Sequence, residues 1–200
     1  MKINEIELVS AQNYPVYTVS EMLELAQPDG TLGQFVVFFA EYGNYRTIIL
    51  TDDNKNIAAF ATFEIQLGGK VWQARKAQTY SPYQGQALVA KIYKLVKEQY
   101  RKSIQSDSEQ SLDAKKLWTK TLPGIGLHPM VFDSETEMII EPKNFDLSLM
   151  YPFSDDNRKF RYTWILEKFD HYPTQNILTE NTPLIPVTGL WYTGESNVSN

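Results

Sequence analysis

The segment from Ala77 to Val89 combines a predicted strand end, a loop that contains Pro82 and Gly85, and the start of a long predicted helix. The first turn of a helix presents backbone N–H groups without intrahelical partners, at the positive end of the helix dipole. Small residues there let a phosphate approach the backbone closely. The pattern therefore predicts an anion site suited to a pyrophosphate. A strand, loop and helix in this order can also be purely structural.

Glu64 is the best candidate for a general base. It lies on a predicted strand over residues 57–67, on the same face as Ala58, Phe60 and Thr62, because side chains alternate along a strand. The opposite face of that strand carries Ile57, Ala59, Ala61, Phe63 and Ile65. Burial of the first face would make the Glu64 carboxylate a stronger base. The alternative is that Glu64 points to solvent near the Gly68-Gly69 turn.

Tyr80 and Tyr83 flank the loop, where a hydroxyl could donate a proton or a ring could form a wall. We take Tyr83 as a second candidate catalytic residue. The two histidines of the chain are His128, expected in a packed or surface loop, and His171. Neither is assigned a role.

A metal site is not predicted. The chain has no cysteine, and its acidic pairs Asp52-Asp53 and Asp155-Asp156 fit turns better than metal ligation. The sequence has no Gly-x-Ser-x-Gly elbow and no phosphate-binding Walker loop, so a hydrolase triad and a nucleotide triphosphatase lack support.

The loop and its surroundings resemble a known family. Ser81-Pro82-Tyr83-Gln84-Gly85-Gln86-Ala87-Leu88-Val89, between a strand and an amphipathic helix, is similar to the acyl-CoA loop of the GNAT N-acyltransferase superfamily. Gln105-Ser106-Asp107 and the stretch Gln110-Ser111-Leu112-Asp113-Ala114-Lys115-Lys116-Leu117-Trp118 are similar to the strand and helix that close the cofactor site in that family. The resemblance covers roughly residues 5–140, and the style of the loop also resembles small GNAT-like proteins of phages.

The resemblance implies a sheet that is splayed open where the strand over residues 71–80 meets the strand near Ile104. Acetyl-CoA would lie in that gap. The residues that would contact the pantetheine arm are Ala77, Gln78 and Thr79. The residues whose N–H groups would hold the pyrophosphate are Gln84, Gly85, Gln86, Ala87, Leu88 and Val89. Lys91 or Lys94 could meet outer phosphates, or both could simply line a solvated helix face.

The implied activity is transfer of an acetyl group from acetyl-CoA to an amine by direct attack. This chemistry needs a base for the ammonium proton and a donor for the developing oxyanion, but no cysteine. Glu64 would be the base. The acceptor could be a small molecule, a peptide or a protein.

Two positions differ from the family pattern of Gln or Arg, two residues, Gly, one residue, then Gly or Ala. Counted from Gln84, the last two small positions hold Ala87 and the β-branched Val89. Trp118 stands where many members have a tyrosine that acts as general acid, and an indole N–H has no useful acidity. These features favour the alternative, a GNAT-fold binding or interaction protein without catalysis. A nucleic-acid-modifying protein is a third reading.

The elements that would position this site form a mixed α+β fold. The first half reads as an antiparallel meander, and residues 86–102 read as an amphipathic helix. A capping signature at Ser106 predicts a second helix that ends near Pro123-Gly124. The predicted strands are residues 35–41, 45–51, 57–67, 71–80, 104–106, 130–133, 138–140, 145–150 and 160–166, with a further strand near the start of residues 3–17. Residues 18–28 read as a short helix, and residues 173–186 as irregular.

We divide the chain into a GNAT-like core over residues 1–140 and a C-terminal extension over residues 141–200 that packs on it. The length of 200 residues and the aromatic content of 13% supply a real hydrophobic core. The net charge of -5 argues against general attraction to nucleic acid or anionic membrane. No apolar run approaches transmembrane length, so a cytoplasmic location is expected. The sequence does not indicate the oligomeric state.

Overall fold

The computed structural model describes residues 18–107, 111–150 and 161–167. They form a mixed α/β fold around a nine-stranded sheet in the order β1-β2-β3-β4-β5-β6-β9-β7-β8. The strands are β1 Gln27–Leu32, β2 Phe35–Tyr42, β3 Tyr45–Thr51, β4 Ile57–Gln66, β5 Val71–Thr79, β6 Ser103–Gln105, β7 Met130–Asp133, β8 Met138–Ile140 and β9 Tyr162–Leu166. The helices are α1 Val19–Leu25, α2 Leu88–Glu98, α3 Leu112–Lys116 and α4 Leu122–Gly124, with a π-helical segment Leu117–Thr121 between the last two. Every strand pair is antiparallel except β5 with β6, which confirms the predicted, mostly antiparallel sheet.

The first half is the predicted meander, with one strand that the sequence pattern did not indicate. Thr18 caps α1 in a capping box with Glu21, but the helix ends at Leu25 instead of near residue 28. The chain then forms β1 against β2, with an irregularity between Pro28 and Thr31. A proline is tolerated here because β1 lies at the edge of the sheet, where its missing N–H costs no ladder bond.

The two faces of the sheet have separate cores. α1 packs on one face with Ile49 and Phe60, whereas α2 packs on the other with Ala61 and Phe63. The predicted alternation along β4 is wrong at its start, since Ile57 joins the α1 side and Ala58 the α2 side. The reason is a register shift between Leu50 and Thr51 of β3, which leaves Ala58 as an extra residue in the ladder.

Helix α2 is shorter than the predicted residues 86–102. It begins after Ala87 and ends at Glu98, and Arg101 takes a positive φ of 53° that turns the chain away. The N–H of Lys102 donates to the carbonyl of Val96, which closes the end of the helix. On the predicted apolar face, Ile92, Tyr93 and Val96 are buried in the main core, and Val89 and Tyr100 are partly buried against it.

The second half completes the sheet in an order that the sequence did not predict. β9 lies between β6 and β7 and pairs with both, so the sheet includes strands from both sides of the division at residue 140. Residues 145–150 are not a strand: Leu147–Met150 is a 3-10 helix, and the N–H of Ser148 donates to the Asp146 carboxylate in a local turn. Ser106 does not cap a helix, because its Oγ accepts the N–H of Trp164 at 2.9 Å, and Ser111 caps α3 instead.

An arginine–aspartate pair fastens β7 to the start of β9. Arg161 Nε donates to Asp133 Oδ1 at 2.6 Å, and Arg161 also pairs with Glu135. Burial alone would raise the pKa of Asp133, but the hydrogen bonds from Arg161 and Thr136 outweigh it and hold that pKa below its ordinary value.

Several predicted features fall outside the described residues: the strand near the start of residues 3–17, the turn over residues 154–159, and the irregular segment 173–186. Among the residues that are described, no helix is long and apolar enough to cross a membrane.

A buried hydroxyl pair tests the register that places Glu64 on its face. Thr47 and Thr62 face each other across β3 and β4, with their Oγ1 atoms 3.0 Å apart. Either single change, Thr47→Val or Thr62→Val, leaves one buried hydroxyl unpaired and is expected to lower the free energy of unfolding by about 1–3 kcal/mol. The double valine variant should cost clearly less than the sum, as measured by urea denaturation. Additive costs would show that the two hydroxyls do not interact.

Candidate functional site

The sheet opens on one side of β5. Strand β6 pairs with β5 in parallel at three positions only, Val71 with Ser103, Trp72 with Ile104, and Gln73 with Gln105. Strand β4 accompanies β5 as far as Thr79. Along residues 74–79, β5 therefore has one paired edge and one edge that no described strand covers. This is the predicted splay between the strand over residues 71–80 and the strand near Ile104, and we call it the gap.

Backbone groups of β5 point into the gap. The N–H of Tyr80 donates to the carbonyl of Ala58 at 2.9 Å, and Gln78 stands opposite Phe60 in the same register. Hydrogen-bonded and non-hydrogen-bonded residues alternate along an antiparallel ladder. Gln78 consequently directs its backbone groups to β4, and the neighbours on either side direct theirs to the gap. Those neighbours are Ala77 and Thr79.

The loop after β5 leads directly into the N-terminus of α2. Gly85 has a φ of 85°, which glycine adopts freely, and Ala87 has a φ of 54°, a conformation that costs an alanine roughly 1–2 kcal/mol. Ala87 has no polar side chain to cap α2, and no hydrogen bond among the described residues uses the N–H groups of Leu88, Val89 and Ala90. The exposed residues at the tip of this loop are Gln84, Gly85 and Gln86.

Val89, the β-branched residue at the last position of the loop, is half-buried and packs against the main core. Leu88 beside it is fully buried. Farther along the helix, Lys91 is exposed, and Lys94 lies 3.8 Å from Glu98 in an i,i+4 pair. The lysines thus fit the solvated helix face that the sequence left open as an alternative.

Tyr83 anchors the loop to the turn between β3 and β4. Its hydroxyl donates to Asp52 Oδ2 at 2.6 Å, and its ring meets Phe35 edge-on at 5.8 Å. The hydrogen bond to Asp52 raises the pKa of Tyr83 above its ordinary value of 10.0, because it stabilises the protonated phenol. Tyr80 instead packs near Phe60, and burial raises the pKa of its hydroxyl.

Asp52 is the centre of a turn, as its sequence predicted. Its carboxylate accepts the N–H groups of Asn54 and Asn56 and the side-chain amide of Asn56. The amide of Asn56, followed by the hydroxyl of Tyr83, lowers the pKa of Asp52. No group of histidine, cysteine, aspartate or glutamate residues in the described ranges could hold a metal ion. His128 is exposed in a loop, and His171 lies outside those ranges.

Glu64 is neither fully buried nor pointing freely to solvent, the two alternatives that the sequence left open. Its side chain is 23% exposed. Its Oε2 accepts hydrogen bonds from Nε of Arg75 at 2.7 Å and from Nη2. No hydrogen bond among the described residues reaches its Oε1. Arg75 also places Nη1 3.1 Å from Asp107 Oδ1, just beyond the end of β6. One guanidinium therefore links Glu64 on β4 to the far side of the gap.

Trp118 is a core residue. Its ring is stacked on Trp164 with centroids 6.5 Å apart, and it meets Tyr93 edge-on at 5.6 Å. Tyr93 is buried, which raises the pKa of its hydroxyl. The indole N–H of Trp164 is buried and has no hydrogen-bond partner among the described residues. These rings wall the α2 side of the sheet beside Ser106.

Sequence reasoning missed two members of this site, Arg75 and Asp107. Arg75 lies within the predicted strand over residues 71–80. Its contact with Glu64 depends on a register shift opposite Thr62 and Phe63, which makes Arg75 an extra residue in the β5 ladder. Asp107 was quoted within Gln105-Ser106-Asp107, which resembles the strand that closes the cofactor site, and within a helix-capping signature, with no role of its own. The other sequence-predicted residues, Ala77 to Thr79 and Gln84 to Val89, line the gap edge and the loop as described above.

A comparison with protein-family models finds no match, and curated proteins give none either. Three solved structures are similar to this chain. One is a chimera of the Vibrio cholerae spermidine N-acetyltransferase SpeG with hSSAT, at 11% sequence identity and a TM-score of 0.37. The others are a mutant of V. cholerae SpeG, at 12% identity and a TM-score of 0.35, and mutant forms of the V. cholerae spermidine/spermine N-acetyltransferase SpeG, at 11% identity and a TM-score of 0.35. Each alignment covers 62% of this chain and, in that order, 68%, 63% and 66% of the other. Such values are too low to assign a family or an activity.

The anchor of the loop gives a spectroscopic prediction. In an Asp52→Asn variant the turn keeps an oxygen acceptor but loses the negative charge that stabilises the protonated Tyr83. The pKa of Tyr83, followed through its Cζ chemical shift by NMR, should therefore fall toward 10. A matched Asp53→Asn change should leave it in place. An unchanged pKa in Asp52→Asn would mean that Tyr83 does not donate to Asp52 in solution.

Proposed function

We propose that this protein is an acyl-CoA-dependent N-acetyltransferase of the GNAT type, which transfers an acetyl group from acetyl-CoA to an amine. One observation carries the proposal: after Gln73 no strand in the described part of the chain pairs with β5 on its β6 side, and β5 runs from there to a helix whose first turn is uncapped. A strand edge and a helix N-terminus in line suit a ligand that has amide groups at one end and phosphates at the other.

The residues present fit the pantetheine arm. That arm contains two amides and needs both donors and acceptors along an extended path. Ala77 and Thr79 offer both, because each directs an N–H and a carbonyl to the gap. Gln78 lies between them and turns its backbone toward β4. The arm would in this way add a strand-like segment to the free edge of β5.

The residues present also fit the pyrophosphate. The N–H groups between Gln84 and Val89 include those of the first turn of α2, where the helix dipole favours negative charge. The loop carries no carboxylate that would repel an anion. Val89 contributes its backbone here while its side chain packs on the core.

Bound acetyl-CoA would supply an activated thioester, whose carbonyl carbon an amine can attack directly. Glu64 is the base in this proposal, since a protonated amine must lose a proton before it attacks. Its Oε2 is held by Arg75, and its Oε1 is left to accept that proton. We assign Tyr83 to positioning the loop instead of donating a proton, because its hydroxyl is engaged by Asp52.

A second candidate function is binding without catalysis. Trp118 is buried to 2% exposure and stacked on Trp164, so this position supplies no acid to a leaving thiolate. The acceptor amine of an acetyltransferase could be a small molecule, a peptide or a protein. A binding protein would instead hold its partner without reacting with it. Turnover separates the two candidates.

Charge changes at Gln84 test the cofactor site. Isothermal titration with acetyl-CoA should give saturable binding to the unmodified protein. Gln84→Glu places a like charge near the pyrophosphate and should weaken binding by ~1 kcal/mol, about fivefold, whereas Gln84→Lys should not weaken it. Gln27→Glu, at an exposed position of the edge strand β1, is the control for net charge. No binding at millimolar acetyl-CoA would contradict the proposal.

Turnover in a Glu64→Gln variant tests the base. Release of free CoA thiol is measured with a panel of primary amines at neutral pH. We expect the rate to fall by about 10²–10⁴ while the acetyl-CoA affinity is kept, because proton transfer is lost and the cofactor contacts remain. Glu41→Gln, which breaks an exposed pair with Arg46, is the matched control. Equal turnover in both variants would remove Glu64 from the mechanism.

A further inference from the structure

We propose that the ion pair between Arg75 and Asp107 closes the inner end of the gap and restricts the protein to short acyl groups. The inference rests on the proposed function, which uses Arg75 only to hold Glu64 and gives Asp107 no role. The pair stands at the place where the two strands of the gap come together.

Arg75 and Asp107 stand at equivalent positions just beyond the last rung of the β5–β6 ladder. The parallel rungs end at Gln73 with Gln105, and two residues farther along each chain come Arg75 and Asp107. Their backbones no longer pair, but Arg75 Nη1 and Asp107 Oδ1 lie 3.1 Å apart. A side-chain bridge thus replaces the next rung of the ladder.

Glu64 holds the arginine of this bridge in place. Nε and Nη2 of Arg75 both donate to Glu64 Oε2, so the guanidinium is tied to β4 as well as to the chain beyond β6. Such charge-assisted bonds in a planar fork fix the group in orientation as well as in distance. The side chains of Arg75 and Asp107 are 34% and 30% exposed, which places the bridge within reach of a ligand.

The strand ladder and two tryptophan rings surround the rest of the inner end of the gap. The rung between Gln73 and Gln105 blocks passage between the strands. On the α2 side, Trp164 is hydrogen-bonded to Ser106 through both backbone groups and stacks on Trp118. Ser103 and Ile104 of the ladder and the stacked rings are buried, whereas Arg75 and Asp107 are partly exposed side chains.

An acyl-CoA in the gap would point its acyl group at the bridge. With the pyrophosphate at the start of α2, the pantetheine arm runs back along β5 from Thr79 toward Arg75, a distance of about 13 Å along the strand. The thioester would arrive next to the bridge. An acetyl group ends there, but an octanoyl chain would have to displace a guanidinium that two carboxylates hold.

The test compares the affinities for acetyl-CoA and octanoyl-CoA by isothermal titration, with both below micellar concentrations. The unmodified protein should bind octanoyl-CoA at least about tenfold more weakly. Asp107→Ala opens the bridge and should reduce that ratio to about threefold or less. Arg75→Ala should do the same, and Arg46→Ala, which removes an ion pair with Glu41 elsewhere on the sheet, should leave the ratio unchanged. Circular dichroism confirms folding, and Asp107→Ala decides the matter if Arg75→Ala does not fold.

Equal affinities for the two ligands in the unmodified protein, or an unchanged ratio in Asp107→Ala, would overturn the inference and leave the acetyltransferase proposal standing. Failure of both ligands to bind any form of the protein would contradict the proposed function itself. The two failures are therefore distinguishable in one set of titrations.

Discussion

The parallel ladder between β5 and β6 stops after three rungs, and the candidate site follows from that stop. Beyond Gln105 the chain keeps only its β9 partner among the described strands: the N–H of Ser106 donates to the carbonyl of Trp164 at 2.8 Å, and Ser106 Oγ accepts the N–H of Trp164. β5 meanwhile continues with β4 and is bent by the extra residue Arg75. Two strands that start together are thus drawn to opposite sides.

Three side-chain contacts then hold the edges of the opening. Tyr83 ties the loop before α2 to the Asp52 turn, and Arg75 ties β4 to the chain beyond β6. On the α2 face of the sheet, the ring of Trp118 stacks on that of Trp164, whose backbone N–H donates to Ser106. The opening is in this way a defined feature of the fold, with a polar inner end and a backbone-lined flank.

Most of the architecture could be predicted from periodicity because its strands and main helix are strongly patterned. The hairpin turns and the apolar face of α2 report the core directly, and the loop around Gly85 suggested the site. What failed depended on distant partners. The strand β1 contains Pro28 and Gly30, and only its edge position makes them acceptable. The placement of β9 beside β6 has no local signal at all.

The site shows the same division. Glu64 could be placed on a face by alternation, since its strand is regular around Thr62. The hydrogen bonds from Arg75 to Glu64 could not be predicted. A register shift decides where Arg75 lies, and the two residues are 11 positions apart in the chain. Likewise, the hydroxyl of Tyr83 reaches Asp52 across 31 positions, which turned a candidate acid into an anchor. Spacing along the chain carries no information on such contacts.

The central claim is that β5 has a free backbone edge that an acyl-CoA occupies, and amide hydrogen exchange read residue by residue by NMR tests it most directly. In the free protein the account predicts slow exchange at Gln78, which is paired with β4, and fast exchange at Ala77 and Thr79. Saturation with acetyl-CoA should slow exchange at Ala77 and Thr79 and leave Gln78 unchanged. Equal protection at all three positions in the free protein would contradict the account, because it would show that the edge of β5 is already covered.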